Sequence, residues 1–209
     1  MKKSILTLAS FMLLVTFANA QKVEFEEYKL DNGMHVILHQ DKSAPVIITS
    51  VMYGVGGKDG SRERTGFAHF FEHLLFEGTE HIGRGEWMKI VSSNGGKVNA
   101  NTSQDRTYYY EIFPSNKLEL GLWMESARLL QPIISQEGVD TQNEVVKEEK
   151  RQRTRPYSEI INEISKNLFK VHPYKDPNVG YMKDLDAATL EEFLAFNKKY
   201  YVPNNATLV

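Results

Sequence analysis

The sequence contains no cysteine. That excludes disulfides, thiolate metal sites, a cysteine nucleophile and a lipid-modified N-terminal cysteine. A chain without cross-links must stand on its hydrophobic core alone. Charge of one sign is missing as well. Lysine and arginine number 25 against 27 acidic residues, a formal net charge of −2. No basic tract stands out, so the electrostatic footprint of a nucleic-acid binder is absent. So is the basic amphipathic patch of a membrane-surface helix. There is no internal repeat, low-complexity stretch or linker-like segment. No apolar run reaches the roughly 20 residues that a membrane span requires.

The longest apolar run, Ile5 to Phe17, follows Lys2 and Lys3 and precedes Ala18-Asn19-Ala20. This is the charged, apolar and small-residue order of a secretory signal. Residues 1–20 are therefore expected to be a signal peptide cleaved after Ala20. The mature chain would start at Gln21, be exported to the periplasm or beyond, and keep no stable membrane anchor.

What remains, residues 21–209, suffices for one sizeable domain. Val23–Leu30 and Met34–His39 flank the turn Asp31-Asn32-Gly33 and predict a β-hairpin. Val46–Tyr53 reads as a strand, Thr65–Phe76 as a helix, and Glu86–Ser93 as a second helix stopped by Gly95-Gly96. Lys97–Ser103 and Arg106–Phe113 read as strands, with Tyr108, Tyr109 and Tyr110 alternating across the latter. Helices are then expected from a Ser115 cap to Leu130, with Leu118, Leu122, Ala127 and Leu129 among the apolar positions. Others are expected from Val139 to Arg153, stopped by Pro156, from Ser158 to Phe169, and from Thr189 to Tyr200. His172–Gly180 reads as a loop, and Ala206–Val209 as the start of a strand. The order predicts an α+β fold, an antiparallel sheet flanked by helices.

The chemistry concentrates in His69-Phe70-Phe71-Glu72-His73. Histidines four apart on a helix share a face, and both imidazoles can reach one ion. Glu72 leans over the same face, where a carboxylate can take a proton from water that the metal acidifies. This is the inverted form of the commoner zinc-peptidase signature. The plainer reading is a buried helix whose histidines find partners in the core. Zinc in a catalytic site needs a third protein ligand. In the helix Val139–Arg153, Glu149 shares a stripe with Gln142, Val145 and Val146, whereas Glu144 and Glu148 fall beside Lys147 and Arg151. A carboxylate on an apolar stripe must be neutral, paired or metal-bound, which selects Glu149 as ligand or as partner of an arginine. Two imidazoles and a carboxylate favour zinc.

The run Gly66 to Thr79, GFAHFFEHLLFEGT, resembles the signature of the pitrilysin-type metallopeptidases, the inverzincins, which include insulysin and the mitochondrial processing peptidases. In that family the third ligand is a glutamate about 76 residues after the second histidine, which lands on Glu149. Glu144-Val145-Val146-Lys147-Glu148-Glu149 is similar to the family's segment there. Gly95 to Thr102 resembles its substrate-binding edge strand, and Tyr201 to Ala206 the lead into a later strand. The resemblance implies a zinc-dependent endopeptidase with Zn2+ on His69, His73 and Glu149, and Glu72 activating water. An extended peptide or unfolded protein would add as a strand along Asn99, Ala100, Asn101 and Thr102, a mode that tolerates many sequences.

Two departures carry expectations. Many family members have an assisting glutamate seven residues before the third ligand, where this chain has Gln142. Slower chemistry is expected, with Gln142→Glu raising turnover. Family members also pair this domain with a second similar half, so a partner half is expected in the same longer protein or as a separate subunit. Two other readings compete: a non-catalytic half that captures peptides for a partner, and a structural domain with a closed four-ligand zinc site. Elsewhere, His35 and His39 have no further ligand in pattern, and His81 and His172 are expected in solvated loops. Arg151, Arg153 and Arg155 suit a helix C-terminus.

Overall fold

A computed structural model describes residues 23–153 and 158–209. The expected signal peptide and the Pro156 stop lie outside the described residues. Among the described residues, six strands form one sheet in the order β1-β2-β6-β3-β5-β4. Their ranges are β1 Glu26–Lys29, β2 His35–Leu38, β3 Val46–Tyr53, β4 Lys97–Thr102, β5 Thr107–Pro114 and β6 Ala206–Leu208. All neighbours pair antiparallel except β2 and β6, which run parallel. The expected α+β fold is therefore present, with one parallel pair that the antiparallel reading lacked. It arises because β6, reached only after the helical half of the chain, inserts between the hairpin strand β2 and β3.

Helices α1 Phe67–Leu74 and α2 Trp87–Ser93 precede β4. Then come α3 Leu118–Leu130, α4 Gln136–Arg153, α5 Ser158–Leu168, α6 Met182–Ala187 and α7 Leu190–Tyr200. None of the described helices is long and apolar enough to cross a membrane. The alternation of β3 divides the sheet into a covered and an open face. Val51 and Tyr53 are buried in the core, while Ile48 and Met52 are exposed. On the covered side, α1 lies against Val51, Tyr53 and Tyr109 and carries Phe67, Phe70, Phe71 and Leu74 into the main core. A second cluster gathers Ile82, Trp87, Val91, Phe113 and Met124 around α2 and α3.

Several elements differ from the sequence reading. The helix expected over Thr65–Phe76 is shorter, because Gly66 adopts φ 85° before it. Ser115 caps nothing: Ser115–Lys117 is a 3-10 turn, and α3 starts at Leu118. The face of α3 is also not the one expected. Leu118 and Leu122 are exposed. Glu125 and Arg128 are buried beside Met124, Ala127 and Leu129. These two charges go inward because a buried carboxylate on β5, Glu111, waits for Arg128 at 2.8 Å. In α4, Val146 is buried but Val145 is exposed. Helix α6, Met182–Ala187, falls between the expected loop and the expected last helix, in a stretch the sequence left unassigned, whereas α7 keeps its expected start. There Thr189 Oγ1 accepts from Glu192 N, and the Glu192 carboxylate accepts from Thr189 N, a reciprocal capping box.

Candidate metal centre

Helix α1 is held at its start, along one side and at its end. Thr65 donates both its N–H and its hydroxyl to Asp184 Oδ2, at 3.2 and 2.5 Å, and its Oγ1 accepts from Tyr181 N at 3.0 Å. The positive φ of Gly66 demands glycine, and a Cβ there would also lie 2.8 Å from Val179 O and Gly180 Cα. Along the apolar side, Phe67 and Phe70 stack on Phe193 with centroids 4.6 and 4.7 Å apart, and Phe71 stacks on Tyr201 at 4.8 Å. With that side committed to the core, His69, Glu72 and His73 are left to face α4 and the edge strand.

Glu149 reaches this face from α4. Its Oε2 lies 3.2 Å from His73 Nε2 and 3.5 Å from His69 Nε2. His69 is buried, while the side chains of His73 and Glu149 are each about 23% exposed. One ligand atom from each of the three lies within 4.8 Å of the others, close enough for one cation to be held by all. Among the described residues this is the one such group. Glu72 stands apart from it: its Oε2 accepts the Thr102 hydroxyl at 2.7 Å. The partial exposure of His73 and Glu149 leaves the group within reach of solvent.

Among the described residues, strand β4 is a free edge of the sheet, paired only with β5. Val98, Ala100 and Thr102 are half-buried, and Lys97, Asn99 and Asn101 are exposed. The four residues singled out along this edge therefore divide. Thr102 touches Glu72, whereas Asn101 Oδ1 accepts from Arg106 and Asn99 Oδ1 accepts the Ala100 N–H at 2.9 Å. Gln142 does not turn toward Glu149. Its amide donates to Glu77 Oε1, whose other oxygen accepts from Arg84 Nε. Arg84 in turn contacts Glu137 and Thr141 of α4. The exposed Glu148 pairs with Arg151, and Glu144 with Lys147, so neither competes with Glu149 for the site. His35 bonds Glu27 at 3.1 Å and His39 bonds Glu24 O at 2.6 Å, outside any metal group.

The sequence reading missed Glu77 and Arg84, which tie the end of α1 to α4. It also missed Lys150, whose ammonium donates to Gly180 O at 2.5 Å and joins α4, which carries Glu149, to the loop beneath Gly66. The signal available for Glu77 was its position four residues after His73.

A family model, insulinase (peptidase family M16), matches residues 35–180. The chain belongs to peptidase family M16. Among curated M16-like relatives, a zinc protease named PqqE from Helicobacter pylori is 29% identical over 214 residues, which is 99% of this chain and 48% of that protein. A crystal structure of a protease from Helicobacter pylori superposes with TM-score 0.86 at 31% identity, covering 90% of this chain and 46% of that one. The periplasmic protease PqqL from Escherichia coli shares the fold at TM-score 0.82 and 22% identity, over 90% of this chain and 22% of that one. The chain thus spans about half the length of the first of these M16 relatives, or less.

Proposed function

We propose that this chain is the zinc-binding, catalytic part of an M16 metalloendopeptidase that hydrolyses extended peptides or unfolded proteins. The observation that carries the reading is the convergence of His69, His73 and Glu149 beside a glutamate tethered to a free sheet edge. Zinc bound tetrahedrally at about 2.0–2.1 Å needs ligand atoms roughly 3.3 Å apart. The 3.2 and 3.5 Å separations around Glu149 Oε2 fit that requirement. Two imidazoles with one carboxylate suit zinc chemically, and the PqqE relative is named a zinc protease.

When bound, zinc supplies an acidified water and polarises the carbonyl to be attacked. The remaining work falls to side chains of this chain. The Thr102 hydroxyl holds the Glu72 carboxylate through Oε2, and the other oxygen is the base that receives the water proton. The protonated Glu72 then gives that proton to the departing amine. Because Thr102 belongs to the edge strand, the base is registered to the track along which a substrate strand would add. The Ala100 N–H, now given to Asn99 Oδ1, would be free to donate to a substrate carbonyl once that side chain swings aside. Main-chain pairing of this kind selects extended shape more than side-chain identity.

The whole enzyme in this reading includes a second, similar half, and residues 1–20 export the protein. Hydrolysis of a fluorescence-quenched unstructured peptide, with and without a chelator, tests the function. Chelator-sensitive cleavage, restored by zinc and abolished in Glu72→Gln, is expected. Cleavage that survives complete zinc removal would exclude this mechanism.

A further inference from the structure

Behind α1, away from the open side of the site, lies a group of buried ionisable side chains that the mechanism does not use. Arg128 of α3 is fully buried, with its guanidinium 4.5 Å from the Phe76 ring, 4.1 Å from Trp87 and 4.4 Å from Tyr109. Two carboxylates meet it. Glu111 Oε1 accepts Arg128 Nη2 at 2.8 Å, and Glu125 accepts Nε at 3.2 Å. A buried arginine with two carboxylates is an expensive way to fill a core, since desolvation can outweigh the attraction gained. Apolar side chains would serve packing as well, so the arrangement calls for a reason.

The remaining donor gives one. Arg128 Nη1 donates to Leu75 O at 3.2 Å, one residue past the end of α1. Next to it, the hydroxyl of buried Tyr109 donates to Phe71 O at 2.8 Å. The last carbonyls of a helix carry its negative pole; Phe71 O already accepts Leu75 N at 3.1 Å, so the Tyr109 hydroxyl is its second donor. Here a cation and a hydroxyl meet that pole from inside the protein, where water cannot. Glu72 and His73 sit between Phe71 and Leu75, in the very turn that is gripped.

We propose that Arg128 and Tyr109 form a buried clamp on the last turn of α1 that positions Glu72 and His73. The two carboxylates hold the guanidinium fork in the plane that reaches Leu75 O. Burial and the neighbouring Glu125 push Glu111 up to about 9. At neutral pH one carboxyl of the pair is therefore protonated, and the cluster is neutral as a whole. The groups around Glu111 that bear on its charge are Arg128, Glu125 and, through its indole N–H, Trp87. Tyr53 and Tyr109, both held neutral well above their ordinary range, complete the pocket.

This inference rests on the zinc reading of His69, His73 and Glu149, and the test separates the two. Tyr109→Phe removes one hydroxyl from an otherwise unchanged core. Arg128→Lys keeps the charge that neutralises the carboxylates but cannot span three acceptors as the guanidinium fork does. Zinc affinity of the whole chain is measured by competition with a chromophoric chelator, and the site's geometry by the visible spectrum of the cobalt(II) form. Expected are zinc Kd values raised about 3-fold in Tyr109→Phe and about 10–100-fold in Arg128→Lys, the range seen for supporting partners of metal ligands. Cobalt bands shifted from wild type are expected in both. Glu111→Gln, which keeps the oxygen that Arg128 binds and mimics a neutral carboxyl, should leave Kd within about twofold. Wild-type Kd and spectrum in folded Tyr109→Phe would overturn the clamp, as would a Glu111→Gln Kd raised as far as that of Arg128→Lys. Wild type that binds no zinc would overturn the metal reading itself.

Discussion

Gln142→Glu is the substitution for which sequence and structure pull in opposite directions. By likeness to the family, a glutamate there should speed the reaction. In the structure, the Gln142 amide donates to Glu77 Oε1. The Glu77 side chain is only 12% exposed. A carboxylate at 142 removes a hydrogen bond to a charged acceptor, about 1.5–3 kcal/mol. It also sets two like charges at contact distance, roughly 4 kcal/mol of repulsion at 4 Å and an effective dielectric of 20. Arg84, which touches both Glu77 and Thr141, offsets part of this. The single variant should therefore lose about 2–4 kcal/mol of stability. The double variant Glu77→Gln/Gln142→Glu restores one amide and one carboxylate in exchanged places, and should come within about 1 kcal/mol of wild type. Urea unfolding of the four proteins of this cycle gives the coupling directly. Peptide hydrolysis per folded molecule should rise above wild type only in the double variant, where the new carboxylate has a donor opposite it. A single variant as stable as wild type, or a double variant no better than the single, would refute this reasoning.

Other perturbations have equally definite outcomes. Thr102→Val removes the hydrogen bond that its hydroxyl donates to the Glu72 carboxylate, so kcat should fall several-fold while bound zinc is unchanged. Phe193→Ala takes away a fully buried ring that stacks on Phe67 and Phe70, and should cost about 3–5 kcal/mol in chemical unfolding. Glu111 has its carboxyl pushed up to about 9, first by burial and then by Glu125. The folded chain thus holds a proton that the unfolded chain releases near its ordinary carboxyl range. Stability from this group is full at acid pH and is lost as pH rises toward about 9. The difference in unfolding free energy between wild type and Glu111→Gln, followed over that window, should decline with pH by about 1 kcal/mol per unit.

The juxtaposition of His69 and His73 was legible because a spacing of four on a helix is a local pattern. Glu149 was legible for a related reason, though half of the supporting stripe was misplaced. Val146 faces the core three residues before it, while Val145 is exposed. Strand β3 was legible to the residue because its apolar run is bounded by Pro45 and Gly54. What the sequence hid depends on partners distant along the chain. Gln142 and Glu77 are 65 residues apart, and Arg128 meets Leu75 across 53. The hydrophobic pattern of α3 misled for the same reason. A helix that reads as apolar at Leu118 and Leu122 turns instead to bury Glu125 and Arg128, because Glu111 lies on the strand beneath. The parallel pairing of β6 with β2 likewise joins residues far apart along the chain, His35 with Thr207.

Zinc content measured by elemental analysis on wild type, His73→Ala, Glu149→Gln and Glu72→Gln tests the proposed centre most directly. About one zinc per chain is expected in wild type and in Glu72→Gln, since Glu72 is tethered to Thr102, outside the group of His69, His73 and Glu149. Less than about a tenth of that is expected in folded His73→Ala and Glu149→Gln, each of which removes one of three protein ligands. Full zinc in Glu149→Gln, or zinc lost from Glu72→Gln, would contradict the assignment of roles.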